Sequence, residues 1–367
     1  MKLINQIEPV YGLEEIEAVN TYLKSGGWLT EFKKTREFEG MIADFTGAKY
    51  CSVVSNGTVS LFVALKALDI GPGDEVIVPD ITMAASPNAV ILTGAKAVFV
   101  DIEEDSLCLD VTKTEKAITK RTKAVMHVSL NGRAGELGKL KKLCRQKKIY
   151  LMEDAAQSFG SYYQGKHLGR HGIIGSFSFS MPKIITTGQG GALITDDPKL
   201  FQKIKLIRDF GRRSGGEDFY KTVGWNFKFS DLQAVIGIEQ IKKISARIQQ
   251  KKKIFRLYQR LLSPISQVKF VKTDLTETTP WFMDVLAPKR EKLIAFLKES
   301  GIGSRPIYPA LHVQPAYVPL RGTSAGKSAY PVAVKVAREG LWLPSSLNLT
   351  EDQIKYICQK IKEFYES

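Results

Sequence analysis

The chain has 367 residues, 44% hydrophobic and 25% charged, an ordinary globular composition with length for one large domain and a smaller one. Its formal net charge of +15 sits in short clusters, "KLKKLCRQKK" (139–148) and "QQKKKIFR" (249–256), which read as solvated helix faces or as attraction for phosphate-bearing ligands; no nucleic-acid motif accompanies them. No apolar run approaches the roughly 18 residues of a membrane span, the N-terminus lacks a signal-peptide core, and Cys51, Cys108, Cys144 and Cys358 form no CxxC pair, so the expectation is a cytoplasmic protein with buried thiols and no metal site.

From about residue 49 to 200, β-branched runs alternate with helical patterns, which predicts an α/β fold with a mostly parallel sheet covered on both faces. The predicted strands are 49–55, 74–79, 95–101, 122–129, 148–154 and 175–180. Between the first two, "TVSLFVALKALD" (58–69) has the apolar spacing of a helix that stops at the turn "GPGD". A helical region runs from "SDLQAVIGIEQIKKI" (230–244) to the Lys-rich stretch near 250, and the domain boundary is placed there. This gives a large domain over 1–245, N-terminal segment included, and a smaller C-terminal α/β domain over 246–367 that closes with the helix "TEDQIKYICQKIKEFYES".

In open α/β sheets ligands gather beyond the carboxyl ends of the strands, where helix N-termini also point. The unusual residues of this chain fall there. "SNGT" (55–58) leaves a strand and opens a helix; the N–H groups of Gly57 and Thr58 and the Thr58 hydroxyl suit a phosphate, and the same residues suit a plain helix cap. "YLMEDAAQSFG" (150–160) runs a strand straight into Asp154, a carboxylate that either caps a following helix or keeps a heterocyclic nitrogen protonated. In "FSFSMPKIITTGQGG" (177–191), alternation buries Phe177 and Phe179 and presents Ser178 and Ser180 on the other side. The small residues after Lys183 let backbone approach a ligand closely. A loop lysine is ordinarily solvated surface; a desolvated one has a lowered pKa and can form an internal Schiff base. Each feature has its dull alternative, and the joint occurrence of amine, carboxylate and phosphate loop at successive strand ends makes the chemical reading harder to dismiss.

Five stretches, "SNGTVSLFVALKALDIGPGDEVIVP", "MEDAAQSFGSYYQGKHLG", "FSFSMPKIITTGQGGALITDD", "VGWNFKFSDLQAVIGIEQI" and "GIGSRPIYPALHVQPAY", resemble the sugar aminotransferases of the DegT/DnrJ/EryC1/StrS type over nearly the whole chain. The resemblance implies the aspartate-aminotransferase fold (fold type I), with a mostly parallel mixed sheet in the large domain, and pyridoxal 5'-phosphate as cofactor. It implies that Lys183 forms the Schiff base with the cofactor and shuttles the proton, that Asp154 pairs with the pyridinium nitrogen, and that Gln157, one helical turn on, lies near the ring hydroxyl. Gly57, Thr58 and Ser178 would bind the phosphate, and Asn226, in "GWNFKF", would complete that site from the second subunit of a homodimer. Thr30 in "GGWLTEF" and Tyr308 and His312 in "IYPALH" fall where the family contacts its sugar nucleotide, His312 reading equally as a packing residue.

Four positions depart from the family pattern. Met83 stands where an aromatic ring usually stacks on the cofactor, and a thioether packs there more loosely. Gln189 replaces a commoner Glu, Phe32 interrupts a usual glycine, and Gln157 matches members that aminate C3 as well as some that aminate C4. "PKIITTG" and "SRPIYPALHVQPAY" look most like the perosamine-forming branch, which moves an amino group from glutamate to C4 of a GDP-linked 4-keto-6-deoxy sugar for surface glycans such as O-antigen. The alternatives are C3 amination of a dTDP- or UDP-linked 3-keto sugar and, in another class, a regulatory protein that keeps the fold without catalysis.

Overall fold

In the computed structural model, which describes residues 3–213, 218–318 and 329–366, two helices, α1 (Leu13–Lys24) and α2 (Lys33–Thr46), lead into alternating strands and helices. These are β1 (Tyr50–Val54), α3 (Gly57–Ala67), β2 (Glu75–Pro79), α4 (Ala85–Leu92), β3 (Lys96–Val100), α5 (Val111–Ala117), β4 (Thr122–Val128), α6 (Leu137–Lys147), β5 (Tyr150–Asp154), the hairpin β6 (Tyr162–Tyr163) and β7 (Lys166–His167), β8 (Ile174–Ser178), β9 (Gly191–Thr195), α7 (Pro198–Arg208) and α8 (Asp231–Lys242). The long α9 (Ile244–Leu262) then leads to β10 (Lys269–Phe270), β11 (Met283–Leu286), α10 (Arg290–Glu299), β12 (Arg305–Pro306), α11 (Pro331–Glu339), β13 (Gly340–Leu343) and α12 (Glu351–Glu366).

Seven strands form one sheet in the order β1-β9-β8-β5-β4-β2-β3. The pairs from β8 to β3 are parallel, and β9 runs antiparallel to both β1 and β8. Helices cover both faces, so strands such as β2 are buried at every position and read as continuous apolar runs rather than alternating ones. The predicted strands do not include β9. Its run "GALIT" follows a glycine-rich loop and is too short for periodicity to single out. The connection from β8 to β9 holds no helix, so the chain returns antiparallel instead of crossing over. α3 is buried over most of its length, which fixes its N-terminus rigidly at the end of β1.

A second, antiparallel sheet in the order β10-β11-β13-β12 shares a core with α9, α10 and α12, and Ile4 from the N-terminal segment joins that core through a bridge to Ile302. The main core is continuous from Val54 and Met152 in the large sheet to Trp281, Phe282, Tyr308 and Trp342 beside the small one. That continuity carries an aromatic edge of the small sheet to the strand ends where the unusual residues lie.

The basic clusters differ from each other. α6 turns Leu140, Leu143 and Cys144 inward and keeps its lysines in solvent, whereas in α9 Lys251 is buried on the inner face with Ile254, Phe255 and Tyr258, contrary to a wholly solvated face. All four cysteines are buried and unbridged. Among the described residues no helix is long and apolar enough to cross a membrane.

Candidate active site

The β1–α3 turn, the end of β5 and the loop after β8 meet at one end of the large sheet. Asn56 caps α3, its side-chain oxygen accepting the Val59 N–H at 2.9 Å, so Gly57 and Thr58 are not spent on capping. Among the described residues their N–H groups have no acceptor, as expected for the first donors of a helix. A Cβ on Gly57 would meet Ser178 Cβ at 2.8 Å and Oγ at 3.1 Å, so glycine is what lets the helix head approach β8 this closely. Thr58 is exposed, and the half-buried Ser178 hydroxyl lies 3.2 Å from that of Ser180. Two free N–H groups, nearby hydroxyls and a positive helix end make a receptor for a phosphate-sized anion.

Lys183 stands in the turn behind β8, with Phe177 and Phe179 anchored in the core before it and its N–H bonded to Ser180 O at 3.0 Å. Its side chain is half-buried, yet its Nζ lies 3.8 Å from the centroid of the Trp281 ring, whose indole N–H donates to Pro182 O at 2.7 Å. Burial pulls the Lys183 ammonium down to about 8, against the opposing field of Asp154. Such an amine is a nucleophile near neutral pH.

Asp154 is buried at the end of β5; its Oδ2 accepts the Ser86 hydroxyl at 2.7 Å and its Oδ1 the Ala156 N–H at 3.2 Å. Burial raises its pKa, with those two donors and the Lys183 charge pulling the other way. No helix follows Asp154, because residues 155–160 form turns. The helix-cap alternative therefore has nothing to cap, and Gln157 sits in a turn rather than one helical turn on. Its Oε1 accepts the Asn131 N–H at 2.8 Å and its Nε2 donates to the Tyr308 hydroxyl at 3.4 Å. Gln157, Ser178, Lys183, Thr279 and Trp281 line a narrow recess.

The remaining predicted residues are less tightly gathered. Tyr308 is buried beside Gln157, and burial raises its phenol pKa while the Arg305 charge opposes. His312 is fully buried: its Nδ1 lies 2.6 Å from Asp80 Oδ2, its N–H donates to Asp80 Oδ1 at 2.7 Å, and its ring stacks on Tyr330 at 4.2 Å. That is the packing alternative, and in this arrangement His312 presents no surface to a ligand. Met83 is 51% exposed, and its carbonyl accepts the N–H of Ser86, the residue that holds Asp154. Thr30 is exposed in a loop pinned by Asp231, whose carboxylate accepts the N–H groups of Phe32, Lys34 and Thr35. Asn226 is exposed on the segment whose Phe227 carbonyl accepts the Ser55 N–H.

Trp281, Ser86 and Asn131 are absent from the predicted site. Trp281 lies two residues before β11 in the second half of the chain, where an isolated tryptophan reads as core. Asn131 gives a faint signal, being followed by glycine; both residues take a left-handed backbone, φ 54° and 84°.

Pyridoxal phosphate fits these residues. The glycine cradle and free N–H groups suit its phosphate, the buried Asp154 carboxylate suits a protonated ring nitrogen, and the Lys183 amine suits its aldehyde. The sequence profile of the DegT/DnrJ/EryC1/StrS aminotransferase family matches residues 10–362. The chain is 34% identical to the GDP-perosamine synthase of Escherichia coli O157:H7 over 368 aligned positions, covering 100% of this chain and 99% of the relative. It is 36% identical to the GDP-perosamine synthase of Caulobacter vibrioides, covering 89% of each. Among solved structures, DesV of S. venezuelae superposes with a TM-score of 0.90 at 31% identity, over 96% of this chain and 95% of that one. Lys183 and Asp154 lie at neighbouring strand ends of a fold shared with DesV over nearly its whole length, and the chain belongs to the DegT/DnrJ/EryC1/StrS aminotransferase family, whose enzymes work with pyridoxal phosphate.

Proposed function

We propose that this enzyme moves an amino group from glutamate to C4 of a GDP-linked 4-keto-6-deoxyhexose, in the cytoplasm and for surface-glycan synthesis. The observation that carries the transfer chemistry is the pairing of a lysine amine lowered to about 8 with a buried carboxylate at neighbouring strand ends. The GDP sugar is supported by the likeness to two GDP-perosamine synthases at 34% and 36% identity.

Bound pyridoxal phosphate supplies the carbonyl that exchanges the amino group and a ring that takes up the electron pair released at the substrate carbon. The chain supplies the rest. Gly57 and Thr58 N–H groups with the Ser178 hydroxyl hold the phosphate and fix the ring's register. Asp154 keeps the ring nitrogen protonated, and Ser86 in turn fixes the Asp154 carboxylate. Lys183 Nζ accepts a proton from the substrate carbon and returns it, which an amine near pKa 8 does in both directions at neutral pH. Gln157, its Oε1 occupied by the Asn131 N–H and its Nε2 donating to the Tyr308 hydroxyl, is held in the wall of the recess, near the position of the ring hydroxyl. Tyr308 and Thr30 contact the sugar nucleotide, and His312 supports that wall through Asp80.

A panel of GDP-, dTDP- and UDP-linked 3-keto and 4-keto deoxysugars, with glutamate as donor and product mass and proton coupling read out, tests the substrate. The GDP-4-keto-6-deoxyhexose should be aminated fastest, at C4. Faster amination of a dTDP-linked 3-keto sugar would overturn the assignment and make this a C3 enzyme.

The working unit is a homodimer with shared sites. An apolar groove lined by Tyr11, Ile16, Val19, Met181 and Ile236 opens beside the lysine loop, and Tyr11 and Ile16 are 65% and 53% exposed in the single chain. If Asn226 reaches the phosphate of the partner's site, Lys183→Ala and Asn226→Ala chains, each nearly inactive alone, should form a heterodimer with roughly half the wild-type activity, because two-fold symmetry leaves one of its sites complete. An isolated heterodimer without rescue would show that Asn226 serves its own chain.

A further inference from the structure

Trp281 comes from a part of the chain remote from Lys183 and is committed on three sides. It is 6% exposed, with Phe282 stacked on it at 3.8 Å and Trp342 meeting it at 5.8 Å. Its carbonyl accepts Lys251 Nζ at 2.8 Å; that lysine also donates to Ser345 O at 2.5 Å, so a buried amine spends itself on two backbone carbonyls. Its indole N–H donates to Pro182 O, the peptide directly before Lys183. The ring face that remains carries Lys183 Nζ at 3.8 Å.

We propose that Trp281 is the positioning residue for Lys183: its ring face holds the unattached ammonium, and its indole N–H fixes the Pro182–Lys183 peptide, so the amine returns to one place each time it is freed. An ammonium leaving water loses hydration, and the negative face of an indole replaces part of it without adding a counter-charge that would lock the proton on. Asp154 is the charged group that acts on Lys183 among the described residues, and it favours the ammonium as the ring does, while burial favours the free amine. A carboxylate in place of the ring would hold the proton too firmly for exchange. An aliphatic side chain would not hold the cation at all.

This inference rests on Lys183 being the reacting amine. Its test reads Lys183 directly and does not depend on turnover, so its failure would leave that assignment standing. In the full-length, cofactor-free protein, Trp281 is replaced site-specifically by mono-, di- and trifluorotryptophan, which keep the shape and the N–H while weakening the ring face. The pKa of Lys183 is taken from the pH dependence of its acetylation, followed by peptide mass against an internal amine standard. It should fall stepwise with fluorine content, by between about 0.4 and 1.5 units in total, the range a cation on an indole face commands. Trp281→Leu should give a value at least as low as the trifluoro protein. Trp281→Phe, which keeps a weaker face, should fall between wild type and Leu. One value shared by wild type and the fluorinated series would overturn the proposal, as would equal falls in the Phe and Leu variants.

Discussion

Lys183→Ala should lower turnover by at least about 10³-fold, since it removes both the nucleophile and the group that carries the substrate proton. The same change should leave the cofactor-free protein as stable at pH 7 as wild type, or more so. Burial depresses the folded-state pKa of Lys183 to about 8 from a usual 10.5. Between those values the unfolded chain binds more protons at this residue than the folded one, so its contribution to stability grows as pH rises through the window and is least favourable below pH 8. The alanine variant loses that unfavourable burial along with the amine. Wild-type stability should therefore gain on the variant as pH climbs from about 8 to 10.5. Lys251, pushed down to about 7 by burial, adds a rise of the same sense in both proteins and cancels from the comparison. Turnover with product mass and melting against pH are the two measurements. Wild-type turnover in the variant would sink the assignment of Lys183 as the reacting amine.

The residues most legible in the sequence are those whose local setting is odd. Asp154 ends an apolar strand, Lys183 interrupts a run of small residues, and "SNGT" joins strand to helix; each anomaly is visible without knowing what lies across from it. The six predicted strands are legible for a related reason, since a parallel sheet buried on both faces leaves uninterrupted β-branched runs. What the chain does not announce is tertiary pairing. From segments flanking the second sheet, Trp281 reaches the recess and Tyr308 reaches Gln157, and nothing in their own neighbourhoods says which loop they will meet. His312 is paired with Asp80, more than two hundred positions away, and only that pairing decides that it packs. Lys251 did carry a signal. It lies three and four positions before Ile254 and Phe255, on the stripe of α9 that faces the core, and helical spacing outweighs the charge of its neighbours. β9 is the reverse case, a short strand whose partners β1 and β8 form its only strong evidence.

Asp154→Asn should cost about 10³-fold or more in turnover, roughly 4 kcal/mol of barrier, because an amide in that position no longer holds a pyridine nitrogen protonated and the ring becomes a poor electron sink. Asparagine keeps the shape, its Oδ1 able to accept the Ala156 N–H while its Nδ2 donates to the Ser86 hydroxyl, so the loss reports the charge and not a cavity. Asp154→Ala should be impaired to a similar degree. Stability should move the other way. Burial raises the folded-state pKa of Asp154, which means the folded protein binds more protons than the unfolded one between the usual carboxylate value and the raised one. This residue's contribution to stability is therefore lost as pH rises through that window. The cofactor-free Asp154→Asn protein should melt at or above the wild-type temperature. Adding pyridoxal phosphate should reverse the order, because only wild type offers a carboxylate to the ring nitrogen, and binding to the folded state stabilises it in proportion to affinity. A variant that keeps more than a tenth of wild-type turnover, a barrier change under about 1.4 kcal/mol, would reduce Asp154 to an anchor for Ser86 and the 155–160 turns. A carboxylate that is expensive to bury, tied down by Ser86 and set opposite an amine that is also expensive to bury, is the arrangement expected where a fold gives up stability to hold charge for a ligand.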